Sequence, residues 1–234
     1  MPHSRFARTY RLAVGDKSMT LILGLLAFYM FILVPLGELG LVLRPGLNVG
    51  FLAVLAVAVL GFVRFSTLAR FFVVAVLALA VTNILEALAP STGLRIANSL
   101  FSLVAAGLLG TLLLQRTLRR GEINVHRYQG AFATFLLLGV MFAKGFELVA
   151  MVEPGAFQVL GAPATYDSML PRFLYYSFTT LTTLGYGDIT PIHPYARLLA
   201  VLESLVGVIY PAVLIARLVS LDVIDEQEAH RIRS

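Results

Sequence analysis

No cysteine and no tryptophan occur among the 234 residues, and only 13% of the residues are charged. Without thiols there is neither a disulfide framework nor a thiolate metal site. The scarcity of charge excludes more. With 59% hydrophobic residues and a mean hydropathy of +0.86, a soluble chain of this size could not cover its surface with polar groups. Histidine is also sparse, at His3, His126, His193 and His230, and none falls in an apolar run. No HExxH or GxSxG pattern occurs. An intramembrane hydrolase needs a nucleophile with its base, or a metal held by histidines and carboxylates, so an enzyme is not expected.

What the chain does have is long apolar runs. Six can be drawn, at Met19–Leu43, Leu47–Val63, Phe71–Ala89, Ile96–Leu114, Gly130–Val152 and Tyr195–Ser220. Each is near the ~20 residues a helix needs to cross a bilayer. The basic start leads directly into the first run, which exceeds a signal-peptide core and lacks a small-residue cleavage site; it reads as a retained span. Short breakers at Arg44-Pro45-Gly46, Arg64 to Arg70 and Pro90 to Arg95 imply antiparallel neighbours. Longer segments, Gln115 to Gln129 and Glu153 to Pro194, set off the last two spans.

Basic residues orient the spans. With the amino terminus inside, thirteen lie on the inner side: Arg5, Arg8, Arg11, Lys17, Arg64, Arg70, Arg116, Arg119, Arg120, Arg127, Arg217, Arg231 and Arg233. Four lie outside: Arg44, Arg95, Arg172 and Arg197. Both termini are then cytoplasmic. The bias also explains the net charge of +5, so no nucleic-acid partner is expected.

The segment between the last two spans is therefore external. Leu170 to Thr182 is mostly apolar and aromatic, with Pro171 suited to a first helical turn. About twelve helical residues reach only part way across a membrane. Such a re-entrant half-helix is tolerated where it is buried in protein or lines a water-filled path. After it comes Thr182-Thr183-Leu184-Gly185-Tyr186-Gly187-Asp188.

In this context the stretch resembles the potassium-channel pore domain, whose filter reads TVGYG followed by Asp; the similarity covers roughly Gly130 to Ser220. The resemblance implies that backbone carbonyls of Thr183, Leu184, Gly185 and Tyr186, with the Thr183 hydroxyl, replace the water around a potassium ion. Potassium would be the permeant species, with no other cofactor. Lining a path with successive carbonyls calls for alternating backbone conformations, which Gly185 and Gly187 permit because they lack a Cβ. Tyr186 would brace the filter from behind, and Asp188 would concentrate cations at the outer mouth. Tyr175, Tyr176, Thr179 and Thr182 would form a pore-helix cuff. One chain supplies one strand of the ring, so a homotetramer with a closed heterologous interface is implied. The chain departs from the family at Leu184, where Val is usual, at Tyr175-Tyr176, where a Trp pair is common, and at Thr179, where some bacterial members carry Glu.

Gly207 matches the family's inner-helix hinge glycine, and Pro211, four residues on, tends to kink a helix. Together they are the expected gate. No arginine voltage sensor is expected, since Ile96 to Leu114 contains no charge. Nor is a cytosolic ligand-binding domain, since Leu221 to Ser234 is too short for one. Glu86, Lys144, Glu147 and Glu203 lie inside spans at a similar outer level and are expected to form one cluster, in which three carboxylates share a single amine. Pairing that fixes the pore on the first four helices is the simpler role, and tuning by external pH the other.

The expected fold is an all-α integral membrane protein: six transmembrane helices plus a re-entrant pore helix and filter, assembling as a fourfold tetramer. Residues 1–18 form a cytoplasmic segment, 19–127 a four-helix scaffold, 128–220 the pore domain and 221–234 a short tail. The composition, without Cys or Trp and rich in Leu, Ala and Arg, fits the inner membrane of a bacterium. A non-conducting pore-fold subunit and a secondary transporter are the alternatives. Transporters usually carry repeated halves with matching broken helices, which this sequence lacks.

Overall fold

The computed structural model describes residues 19–62, 67–118, 125–160 and 166–233, with side chains omitted at 62, 166–168, 218–219 and 221–233. The basic residues expected inside at Arg5, Arg8, Arg11, Lys17, Arg64, Arg119 and Arg120 lie outside the described residues, as does the segment 1–18.

Among the described residues, six helices are long and apolar enough to cross a membrane. They are α1 (Met19–Glu38), α2 (Arg44–Phe62), α3 (Thr67–Leu88), α4 (Thr92–Thr117), α5 (Val125–Val152) and α7 (Pro194–Arg233), of which Pro194–Arg217 is the apolar part. Between the last two lie β1 (Phe157–Val159), the shorter helix α6 (Tyr166–Leu181) and β2 (Ile189–Pro191). The small antiparallel sheet, with Gln158 opposite Thr190, is absent from the all-α expectation. Three-residue strands leave too little alternation to be legible in a sequence.

Local chemistry explains the boundaries. Pro35 has no N–H to give back along α1, and the helix widens into a π turn over Tyr29–Leu33 just before it. The first span ends at Glu38 rather than Leu43 because Gly40 adopts φ +74°. Its N–H donates to the Gly37 carbonyl, and that of Leu41 to the Leu36 carbonyl. This pair of bonds is the left-handed closure that glycine permits. Ser91 starts α4 by accepting a hydrogen bond from the Leu94 N–H at 3.3 Å. Helix α6 begins at Tyr166, so Pro171 stands inside it rather than in its first turn.

Consecutive helices run antiparallel and pack as neighbours, α4 against α5 most extensively. The ends of α1, α3 and α5 and the starts of α2, α4 and α7 therefore share one side of the bundle. The core includes Leu26, Leu55, Phe72, Leu109, Val140 and Phe146. On α3, Phe71, Val74, Leu77, Val81 and Leu85 are exposed at helical spacing, an apolar stripe suited to lipid. At the opposite side, Thr20 on α1 donates to Gln129 on α5 at 2.6 Å, and Arg116 on α4 donates to the Gly61 carbonyl of α2 at 2.9 Å.

Candidate pore segment and its supports

Helix α6 packs against α5 and α7 and also reaches α1 and α2, so the first two helices and the last two hold it jointly. Phe178 lies directly under Gly139 of α5, where a Cβ would run into its ring. The amide of Thr182 donates to Phe178 and that of Thr183 to Thr180, each at 3.0 Å. The Gly185 amide then reaches back to the Thr179 carbonyl at 3.1 Å. Thr182–Asp188 is thus hung from the last turn of α6.

Positive φ occurs at every second residue here, Thr183 (61°), Gly185 (53°) and Gly187 (79°). The glycines take it without steric cost. Thr183 is β-branched and pays for it. Asp188 closes the segment. Its carbonyl accepts from the Leu160 amide at 2.9 Å, and its carboxylate accepts from Ile189 at 3.1 Å and from the Tyr175 hydroxyl.

The expected cuff divides. Tyr175 stacks on Tyr186 with centroids 6.4 Å apart and planes 10° from parallel. Tyr176 instead turns into an aromatic cluster, 4.8 Å from Phe146 and 5.8 Å from Phe157. Successive helical residues point about 100° apart, so the two rings cannot share one partner in the same chain. Thr179 contributes its carbonyl to Gly185, while its hydroxyl bonds back to Tyr176 at 2.9 Å. The Thr182 hydroxyl is spent on Phe178 at 2.6 Å.

Helix α7 continues through Gly207 and Pro211 without interruption. Pro211 has no N–H to offer the Gly207 carbonyl, four residues earlier. Gly207 itself abuts the carbonyl of Leu181, where any Cβ would collide with backbone. The glycine therefore allows α7 to touch the end of α6. Tyr210 donates to the Ala131 carbonyl of α5 at 2.8 Å and stacks on Phe135.

The intramembrane charges form a different set from the one expected. Arg44, taken from sequence as a loop residue, is 3% exposed at the start of α2, 2.6 Å from Glu147 and 3.9 Å from Glu86. Lys144 meets the other Glu147 oxygen at 3.1 Å, and Ser99 of α4 donates to that same oxygen at 2.9 Å. Two cations and two carboxylates thus join α2, α3, α4 and α5. Glu203 is not among them. It is buried against Ser177 of α6, in short hydrogen-bond contact. The single-amine arithmetic fails because Arg44 supplies the second cation. The sequence did carry a signal: Arg44 is one of few basic residues on the side where carboxylates are in excess.

Residues 155–221, from just before β1 into α7, match a family described as "Ion channel". Protein LctB of Bacillus caldotenax is 33% identical over 122 residues, covering 50% of this chain and 90% of that protein. Protein LctB of Geobacillus stearothermophilus is 48% identical over 52 residues, covering 22% of this chain and 38% of that protein. With six membrane-length helices around the matched segment, the chain is a multi-pass membrane protein that belongs to this ion channel family.

Proposed function

We propose that the chain is one subunit of a homotetrameric, potassium-selective channel whose filter is Thr183, Leu184, Gly185, Tyr186, Gly187 and Asp188. The observation that carries this reading is the alternation of positive φ at Thr183, Gly185 and Gly187. A backbone that reverses its sense at every second residue brings successive carbonyls toward one side, and a ring of such carbonyls can stand in for an ion's water. Helix α6 ends beside Thr183, so the negative end of its dipole favours a cation there. Asp188 adds a formal charge at the mouth.

One copy is an incomplete pore, and α7 supports assembly. Leu198, Val201, Leu202, Leu205, Val208 and Ile209 are all exposed on this helix. A groove of about 540 Å³ between Thr183 and that face is open and apolar. Neighbouring copies around a fourfold axis would fill it. α6 acts as the re-entrant pore helix and α7 as the inner helix. Gly207 and Pro211 are the place where the far end of α7 would swing, since the backbone bond between them is missing. Both termini face the cytoplasm of a bacterial cell, and the scaffold senses no voltage by arginines. The Arg44–Glu86–Lys144–Glu147 network fixes the scaffold to the pore, its charges being mutually compensated.

The test is a reversal potential in liposomes under opposed potassium and sodium gradients. The potential is expected near the potassium equilibrium value. Gly185→Ala, which forces a Cβ into φ +53°, is expected to lower selective flux by about five- to thirtyfold, the equivalent of a strain of about 1–2 kcal/mol. Equal permeability of the two ions in the unaltered protein would refute potassium selectivity, and a dimer by mass measurement in lipid would refute fourfold closure.

A further inference from the structure

Glu203 is fully buried near the middle of the apolar part of α7, and the ion pairs among the described residues, Arg44–Glu86, Arg44–Glu147 and Lys144–Glu147, do not include it. One carboxyl oxygen contacts Oγ of Ser177, and the other has no hydrogen-bond partner among the described residues. The same Ser177 Oγ stands 2.7 Å from the Gly139 carbonyl of α5. Three oxygens are therefore in line, with Ser177 between two groups that ordinarily accept.

A hydroxyl carries one hydrogen, a carbonyl none and a carboxylate none. If the serine hydrogen went to an ionised Glu203, the Gly139 and Ser177 oxygens would face each other at 2.7 Å with no proton between them, lone pair against lone pair. If it went to Gly139, an ionised Glu203 would face the serine lone pairs in the same way. One added proton, on the carboxyl, satisfies both contacts. Solvation agrees, because a lone buried carboxylate costs several kcal/mol and neutralises instead. The titratable neighbours offer no countercharge. Tyr176 is the one facing it from α6, Lys144 and Glu147 on α5 are engaged with each other and with Arg44, and β2 has none.

We infer that Glu203 is a protonated carboxylic acid donating to Ser177, which donates to Gly139, so that one hydrogen-bond chain ties α7 to α6 to α5 and makes Glu203 a positioning residue for the pore segment. Ser177 lies two residues before Thr179, whose carbonyl holds the Gly185 amide. A turn of α6 released from this chain would carry that carbonyl with it. The effect on permeation rests on the channel function proposed above. The protonation state does not.

The experiment compares the full-length chain with Glu203→Gln, Glu203→Leu and Ser177→Ala in liposomes, by infrared spectroscopy and by reversal potential. A carboxylic-acid carbonyl band present at neutral pH and lost in Glu203→Gln is expected. Gln keeps a donor for Ser177, so its potassium-to-sodium permeability ratio should stay within about twofold of the parent, whereas Leu and Ser177→Ala should lower it about tenfold, the worth of one strong buried hydrogen bond. Loss of a carboxylate band in Glu203→Gln would overturn the protonated state. A Leu variant as selective as Gln would overturn the positioning role, as would a parent protein with no flux at all, which would also sink the channel reading while leaving the infrared result to stand alone.

Discussion

Toward α2, α3 and α4, helix α5 presents Lys144 and Glu147, and the scaffold answers with full charges, Arg44 and Glu86, plus the Ser99 hydroxyl. Toward α6 and α7 the same helix presents uncharged groups: the Gly139 carbonyl for Ser177, the bare Gly139 backbone against Phe178, and the Phe146 and Phe135 rings for Tyr176 and Tyr210. The scaffold contact is electrostatic and directional over several ångströms. The contacts on this other side are made by hydroxyl bonds, by ring packing and by Gly207, which lets the α7 backbone touch that of α6. The difference teaches where tolerance lies. A charged network fails when one member leaves and strands the rest, whereas a close backbone approach fails when a single methyl is added.

The largest effect that would sharpen this comparison is Glu147→Ala. It leaves the buried Lys144 without its carboxylate beside Arg44, which keeps only the longer contact with Glu86 among the ion pairs of the described residues, and about 3–5 kcal/mol of stability should be lost, read as an earlier midpoint for heat-induced loss of the folded peak in detergent. Lys144→Met, which leaves the 2.6 Å Arg44–Glu147 contact in place, should cost clearly less; equal losses would break the idea of a network centred on Glu147.

On the pore side, Gly207→Ala gains about 1 kcal/mol in helix propensity but meets the Leu181 backbone, and overpacking of about 1–3 kcal/mol should prevail. Gly139→Ala meets only the Phe178 ring, which can turn, so it should be the milder of the two in the same melting assay. Were Gly207→Ala to raise the melting temperature, the close approach of α6 and α7 would be refuted. The smallest effect is Tyr175→Phe. It keeps the stack on Tyr186 and removes the hydroxyl bonded to Asp188, at a cost of about 0.5–1.5 kcal/mol; the permeability ratio should fall by less than it does for Ser177→Ala. A larger fall would mean that the outer bond, rather than the chain through Ser177, dominates the support of the pore segment.

The spans were legible in sequence to within a few residues, since apolar length is summed along the chain. Among the apolar parts two boundaries strayed furthest: the end of the first span, where the Gly40 turn cut short a run whose apolar residues continue to Leu43, and the start of α5, which opens at Val125 rather than Gly130. Two of the three positive-φ positions between α6 and β2 could be located from their glycines. The positive φ at Thr183 could not, because nothing in a threonine signals a left-handed backbone. Which ring each of Tyr175 and Tyr176 meets within the chain was not legible, because successive helical residues point about 100° apart and only Tyr175 turns toward Tyr186. Grouping Glu203 with Lys144 relied on depth alone, and depth does not fix which neighbour a side chain faces: Lys144 meets Glu147 and Glu203 meets Ser177.

Residue composition alone determined that this chain would lie in a membrane as six apolar helices with a glycine-bearing polar stretch between the last two, because burial in lipid and freedom at positive φ belong to residues individually. Which buried acid pairs with Arg44 and which keeps company with Ser177, and why α7 needs a glycine at Gly207, were decided only by the tertiary structure. Those outcomes depend on the angle each helix presents and on how closely two backbones meet, and both are set jointly by residues far apart in the chain.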